Sequence, residues 1–166
     1  FVDADIPNIH FSKTIFDSNG GDIGGGLYLH SEGNQVTFDE VDFNDNYASD
    51  SGSSSYLLVS AEVLSIANCD FDSNYAKLKE GMFVKGVVDS LRMVSCNYSN
   101  SRSELGSAFY FKGESKDINL SQIEVSKSKD GGAIRVETEV NSILLTDWEI
   151  KNNGDAGFLY DGYGLS

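Results

Sequence analysis

The sequence predicts an all-β fold: a single-stranded right-handed parallel β-helix, a solenoid of about six coils of ~27 residues with three short strands per coil. Three observations predict it. A Phe-x-x-Asn step recurs at a nearly constant interval, apolar residues before each step alternate with period two, and a further short apolar segment follows each step after a small-residue turn. The whole chain, residues 1–166, reads as one such domain and as a segment of a longer chain or assembly.

The step comes first. Phe16 precedes Asn19 by three residues, and the spacing recurs at Phe43/Asn46 and Phe71/Asn74. It continues in weaker form at Tyr98/Ser101, Val125/Ser128 and Ile150/Asn153, giving intervals of 27, 28, 27, 27 and 25 between the first members. Asn19, Asn46 and Asn74 then occupy the same bend in successive coils. Stacked inward, they can hydrogen-bond to one another and to turn backbone groups, which is a structural role.

The first two strands of each coil lie just before the step. The registers read Ile9, Phe11, Thr14, Phe16; Val36, Phe38, Val41, Phe43; and Leu64, Ile66, Cys69, Phe71. They continue as Leu91, Met93, Cys96, Tyr98; Ile118, Leu120, Ile123, Val125; and Ile143, Leu145, Trp148, Ile150. Alternation marks strands, and the two-residue spacer in the middle marks a bend between two of them.

The third strand follows a polar stretch and a turn. It reads Leu27-Tyr28-Leu29, Leu57-Leu58-Val59, Met82-Phe83-Val84, Phe109-Tyr110-Phe111, Ile134-Arg135-Val136 and Phe158-Leu159-Tyr160. Gly24-Gly25-Gly26, Gly81 and Gly131-Gly132 supply turns before three of these, since glycine adopts positive φ at little steric cost. Spacing of two rather than 3.6 excludes helical repeats, and self-similarity from coil to coil is unlike the hairpins of a sandwich.

The pairing of Phe-x-x-Asn with a Gly-Gly-Ala-Ile element at Gly131–Ile134 resembles the repeat of polymorphic outer-membrane proteins, within a broader class of β-helix repeats in bacterial and protist surface proteins. The resemblance spans nearly the whole chain. It implies a secreted or surface-displayed stalk or adhesin, often one part of a much longer protein.

Composition narrows the partners. Twelve basic residues against 26 acidic ones, a net charge of −14, argue against a nucleic-acid partner. No run approaches ~18 apolar residues, which argues against membrane insertion. One proline and 17 glycines suit a structure rich in ladders and tight turns. Phe1 stands where an initiating Met would, and no basic-then-apolar leader follows, as in a mature chain or a fragment. Neither end carries an amphipathic cap, so the coil ends are expected to be covered by other copies or neighbouring domains.

Chemistry-bearing residues are sparse. Cys69 and Cys96 share one slot a full coil apart and stack in the core, either as a disulfide or as buried thiols. Asn97-Tyr98-Ser99 and Asn119-Leu120-Ser121 are glycosylation sequons whose asparagines fall between inward residues and so point outward. The column Asp42, Asp70, Asn97, Glu124, Glu149 stacks acids at strand spacing. A bound Ca²⁺ would relieve their repulsion, although solvated side chains splaying apart explain the column without one, and no cofactor is expected.

An outward aromatic column, Tyr28, Phe83, Tyr110 and Tyr160, is a candidate interaction face for glycans or another subunit, or a surface covered by a loop. The histidines are His10 and His30, and the arginines Arg92, Arg102 and Arg135. Arg135 lies outward on a third strand, where Asp161 or Asp130 could make a site with it, or Glu137 a plain surface ion pair. Neither an Asn-Thr-Asp nor a Gly-His-Gly pattern of polygalacturonase-like enzymes occurs. The expectation is a non-catalytic extracellular or cell-surface module, secreted, building a fibre or filament; the alternative is a carbohydrate-binding or polysaccharide-degrading, pectate-lyase-like β-helix.

Overall fold

A computed structural model describes residues 1–3, 5–77, 81–103, 108–127, 133–154 and 157–162. It is a β-solenoid of about five turns, successive turns ~27 residues apart, with parallel pairing throughout. Five turns connect six registers, and those registers are the ones read from the sequence. Phe16 pairs with Phe43, Phe43 with Phe71, Phe71 with Tyr98, Tyr98 with Val125 and Val125 with Ile150. The columns headed by Ile9, Phe11 and Thr14 follow the same ladder, so one apolar face after another closes over the core.

Three short strands per coil were expected, and the structure merges them. Leu27–Asn44, Met82–Ser99 and Phe109–Ser126 are single strands of 18 residues, each running from a third-strand segment through the first two segments of the following register. Bending without breaking is possible because each corner is one residue. Lys13, Glu40, Asn68, Ser95, Gln122 and Asp147 form a column with φ of 50 to 55°, so the chain turns while pairing continues on both sides. A second column of left-handed residues, Ser18, Asp45, Ser73, Asn100, Lys127 and Asn152, turns the chain just before the asparagine slot.

After the asparagine, the expected polar stretch is itself a strand. Gly20–Ile23, Tyr47–Ser51, Tyr75–Ala76 and Arg102–Ser103 pair in that spatial order as a separate four-stranded sheet. Ala48 and Ala76 are its fully buried inward residues, and their small size kept the segment from showing as apolar alternation.

One register differs from expectation. Leu27-Tyr28-Leu29 pairs with Ser55-Tyr56-Leu57, two residues before the expected Leu57-Leu58-Val59. Ser55 takes a core slot, fully buried between Leu27 and Met82, so hydropathy alone places the strand too late. The glycines carry the better signal. Gly24 and Gly52 both have left-handed φ, 64° and 68°, and each lies three residues before its strand. Gly131 and Gly132 lie outside the described residues.

Aromatic rings reinforce the core along its axis. Phe16, Phe43, Phe71 and Tyr98 stack face to face with centroid separations of 4.9, 5.2 and 4.2 Å. Parallel in-register pairing forces identical slots to within strand spacing, so a ring repeated every coil has another ring as its neighbour.

Candidate functional site

Two outward faces carry the chemistry of this rod. The first lies on the third-strand segments. Tyr28, Tyr56, Phe83 and Tyr110 are in register, followed by Arg135 and Leu159. Tyr28 and Tyr56 stack at 5.6 Å, Tyr56 and Phe83 meet at 4.8 Å, and Phe83 meets Tyr110 edge-on at 5.3 Å. The Arg135 guanidinium caps the column 4.8 Å from the Tyr110 centroid.

The expected row of exposed rings needs two corrections. Phe83 and Tyr110 point outward but are only 8% and 7% exposed, so they are covered rather than open, and Tyr28 and Tyr56 are half-buried. Tyr160 is not in the column. It pairs with Val136 and so takes the inward slot, donating its hydroxyl to the Thr138 carbonyl at 3.4 Å, while Leu159 points out beside Arg135. Tyr56 belongs in the column and was missed because of the shifted register.

Beside the rings runs a polar column, His30, Leu58, Lys85, Lys112, Glu137 and Asp161. Glu137 gathers it. Its carboxylate receives Lys112 at 2.7 Å, Arg135 at 3.4 Å and the Tyr110 hydroxyl. The Lys112 hydrogen bond, then that of Tyr110, hold the Glu137 carboxyl below its usual range against the opposing effect of desolvation. Arg135 thus makes the surface ion pair with Glu137. Asp161 stands next to Glu137 in register, and Asp130 lies outside the described residues. At the other end, His30 Nδ1 lies 3.0 Å from Asp3, while His10 is exposed.

The second face is the outside of the four-stranded sheet. Gly20, Tyr47, Tyr75 and Arg102 are in register. Tyr47 is 42% exposed and stacks on Tyr75 at 5.6 Å, and the Arg102 guanidinium lies 5.9 Å from the Tyr75 centroid. Opposite Tyr47, Gly20 has no side chain, so that face of the ring stays open. Ser49 donates to Asp22 at 2.8 Å nearby. Sequence reasoning missed this face because Tyr47 and Tyr75 fell in a stretch read as loop; their interval of 28 was the available signal.

The asparagine slot is a ladder. Asn19 donates to Asn46 Oδ1 through its backbone N–H at 3.0 Å and its side-chain amide at 3.1 Å. Asn46 donates to Asn74 Oδ1 in the same two ways, both at 3.1 Å. The Asn46 and Asn74 amides also reach back to the Phe16 and Phe43 carbonyls at 2.8 and 2.7 Å, and Asn153 repeats that bond to Val125 at 3.1 Å. Each of these bonds gives a backbone carbonyl near the corner a side-chain donor.

Cys69 and Cys96 are neighbours in the core, buried, and free thiols. Interaction with the other thiol lowers Cys69 and raises Cys96 from the ordinary thiol range, and burial pushes both up. Asn97 and Asn119 point outward between buried residues, as the alternation requires, and both are half-buried. Asn97 lies between Asp70 and Glu124, and Asn119 between Arg92 and Leu144.

The acidic column is realised in register as Asp42, Asp70, Asn97, Glu124 and Glu149, with Glu149 paired to Lys151. Among the described residues, no three His, Cys, Asp or Glu side chains come close enough together to hold a metal ion. No described helix is long and apolar enough to cross a membrane. The chain matches no family model, no curated protein and no solved structure.

Proposed function

We propose that this chain is a structural or adhesive building block of an extracellular or cell-surface fibre, secreted and non-catalytic, joined at its coil ends to other copies or neighbouring domains. The observation that carries this reading is the unbroken register. Six aligned slots, an asparagine ladder and two aromatic columns all run along one axis, which is what a load-bearing rod requires.

Electron microscopy of native material, with particle length checked by small-angle scattering, tests the proposal. Filaments or long rods with cross-sections matching one coil support it. A discrete monomer in the source material, with no larger assembly across concentration, overturns it.

One observation favours glycan binding as a second reading. The open face of Tyr47, with the Asp22 carboxylate and Ser49 hydroxyl beside it, suits stacking against a sugar ring with hydrogen bonds to its hydroxyls. Titration with neutral oligosaccharides should then quench tyrosine fluorescence in the native chain and not in Tyr47→Ala. Equal responses in both would remove this reading.

A further inference from the structure

Two nucleophilic groups in the core have no part in the fibre reading. Cys69 and Cys96 are the only cysteines of the chain, and the paired neighbours Asp70 and Asn97 place them side by side on adjacent coils. Neighbouring strands lie about 4.8 Å apart, within the range of Cα separations that a disulfide spans. Both sulfurs face carbonyls of adjacent residues on the third coil. Cys69 Sγ is 3.1 Å from the Ala67 carbonyl, and Cys96 Sγ is 3.4 Å from that of Val94 and 3.6 Å from that of Ile66, the residue before Ala67.

We propose that this pair is an oxidation site, closing in the presence of a low-molecular-weight disulfide into a bond that staples the third coil to the fourth.

Local backbone makes closure feasible. Cys96 lies inside the continuous strand Met82–Ser99, but Cys69 falls in the break between Ser55–Ala67 and Asp70–Asp72, directly after left-handed Asn68. Cys69 can therefore shift toward its partner without disrupting a continuous strand. The same break is where local opening admits the reagent, since both side chains are otherwise buried.

The exchange balances. Cys69 gives up its proton, and its thiolate attacks one sulfur of the small disulfide, expelling a small thiolate and leaving a mixed disulfide. Cys96, deprotonated in turn, attacks Cys69 Sγ and expels the second small thiolate. Two protein thiols and one small disulfide become one protein disulfide and two small thiols, with two electrons passing to the reagent.

Coils three and four are joined along Ser55–Ala67 and Asp70–Asp72 with Met82–Ser99 on the larger sheet, and at Tyr75 with Arg102 and Ala76 with Ser103 on the four-stranded one. A covalent link there opposes separation of the rod into two halves.

Incubating the chain with oxidised glutathione, then measuring intact mass, a proteolytic map and thermal unfolding, tests the proposal. Expected are a loss of two hydrogens, a linked Cys69–Cys96 peptide and a melting temperature raised by about 10 °C, all reversed by dithiothreitol. Cys69→Val with Cys96→Ile, residue types already present in this column at Val41 and Ile123, should fold and show no shift. Two outcomes overturn the proposal: both thiols still alkylatable on unfolding after oxidant treatment, or glutathione retained as a stable adduct. Neither outcome bears on whether the chain forms fibres.

Discussion

Asn46 shows how much a single side chain can hold. It is 1% exposed, and its amide accepts from two groups of Asn19 while donating to Asn74 and to the Phe16 carbonyl. Removing it leaves corner groups without partners, each costing roughly 1–3 kcal/mol when buried. Asn46→Ala should lose about 3 kcal/mol in urea unfolding. Asn46→Asp should also lose stability, because it keeps the acceptor but removes the donor.

Asp72 offers a pH-dependent test at the same scale. Desolvation raises its carboxyl, but hydrogen bonds from Ser99 at 2.5 Å, Asn100 at 2.7 Å and Ser73 at 3.0 Å outweigh it and hold the group below its ordinary value. A carboxyl depressed in the folded state adds stability above its unfolded pKa and loses it as pH falls through the folded one. Asp72→Asn should therefore melt below the native chain at pH 7, with the gap closing as pH drops below about 4. A gap that stays constant down to pH 2 would show that Asp72 acts through shape alone.

Among the elements, the bend between third strand and next register is the most exacting. Gly86 and Gly113 stack there with φ of 152° and 157°, and a Cβ on Gly113 would collide with the Gly86 carbonyl. Gly113→Ala should cost 3 kcal/mol or more, as strain plus overpacking, and circular dichroism melts will read it. Sequence and structure part company at just such places. The four apolar columns were legible because period-two alternation survives in each coil, including Tyr98, Val125 and Ile150 where Phe-x-x-Asn has faded. Ser55 in a core slot hid one strand, and Ala48 and Ala76 hid an entire sheet, because small or polar inward residues give no hydropathy signal. Of the candidate surface, Tyr28, Phe83 and Tyr110 were placed on the right column, but their burial depends on neighbours that alternation does not specify.

For the whole molecule, stability is a sum over joints between neighbouring coils rather than a property of one centre. The joint between Met82–Ser99 and Phe109–Ser126 is the longest, with 16 paired positions. The last coil is split among Ile134–Glu139, Ser142–Thr146 and Glu149–Lys151, with Leu144 and Leu145 exposed. Hydrogen exchange should be slowest across 82–126 and fastest beyond 142, with amides protecting coil by coil. Uniform protection along the chain would mean that the rod opens as a single unit. Charge acts on the same scale: with −14 on 166 residues, added salt should raise the melting temperature by screening self-repulsion.

The left-handed corner column has a further consequence. Lys13, Glu40, Asn68, Ser95, Gln122 and Asp147 share one backbone angle although they differ in size, charge and polarity. The angle shapes the coil, and the identity of the side chain is left open. Each of these positions is thus an address on a ruled edge, one mark per coil at a spacing of about 4.8 Å. New functional groups could be written along that edge in any order, at distances known in advance, without redrawing the rod that carries them.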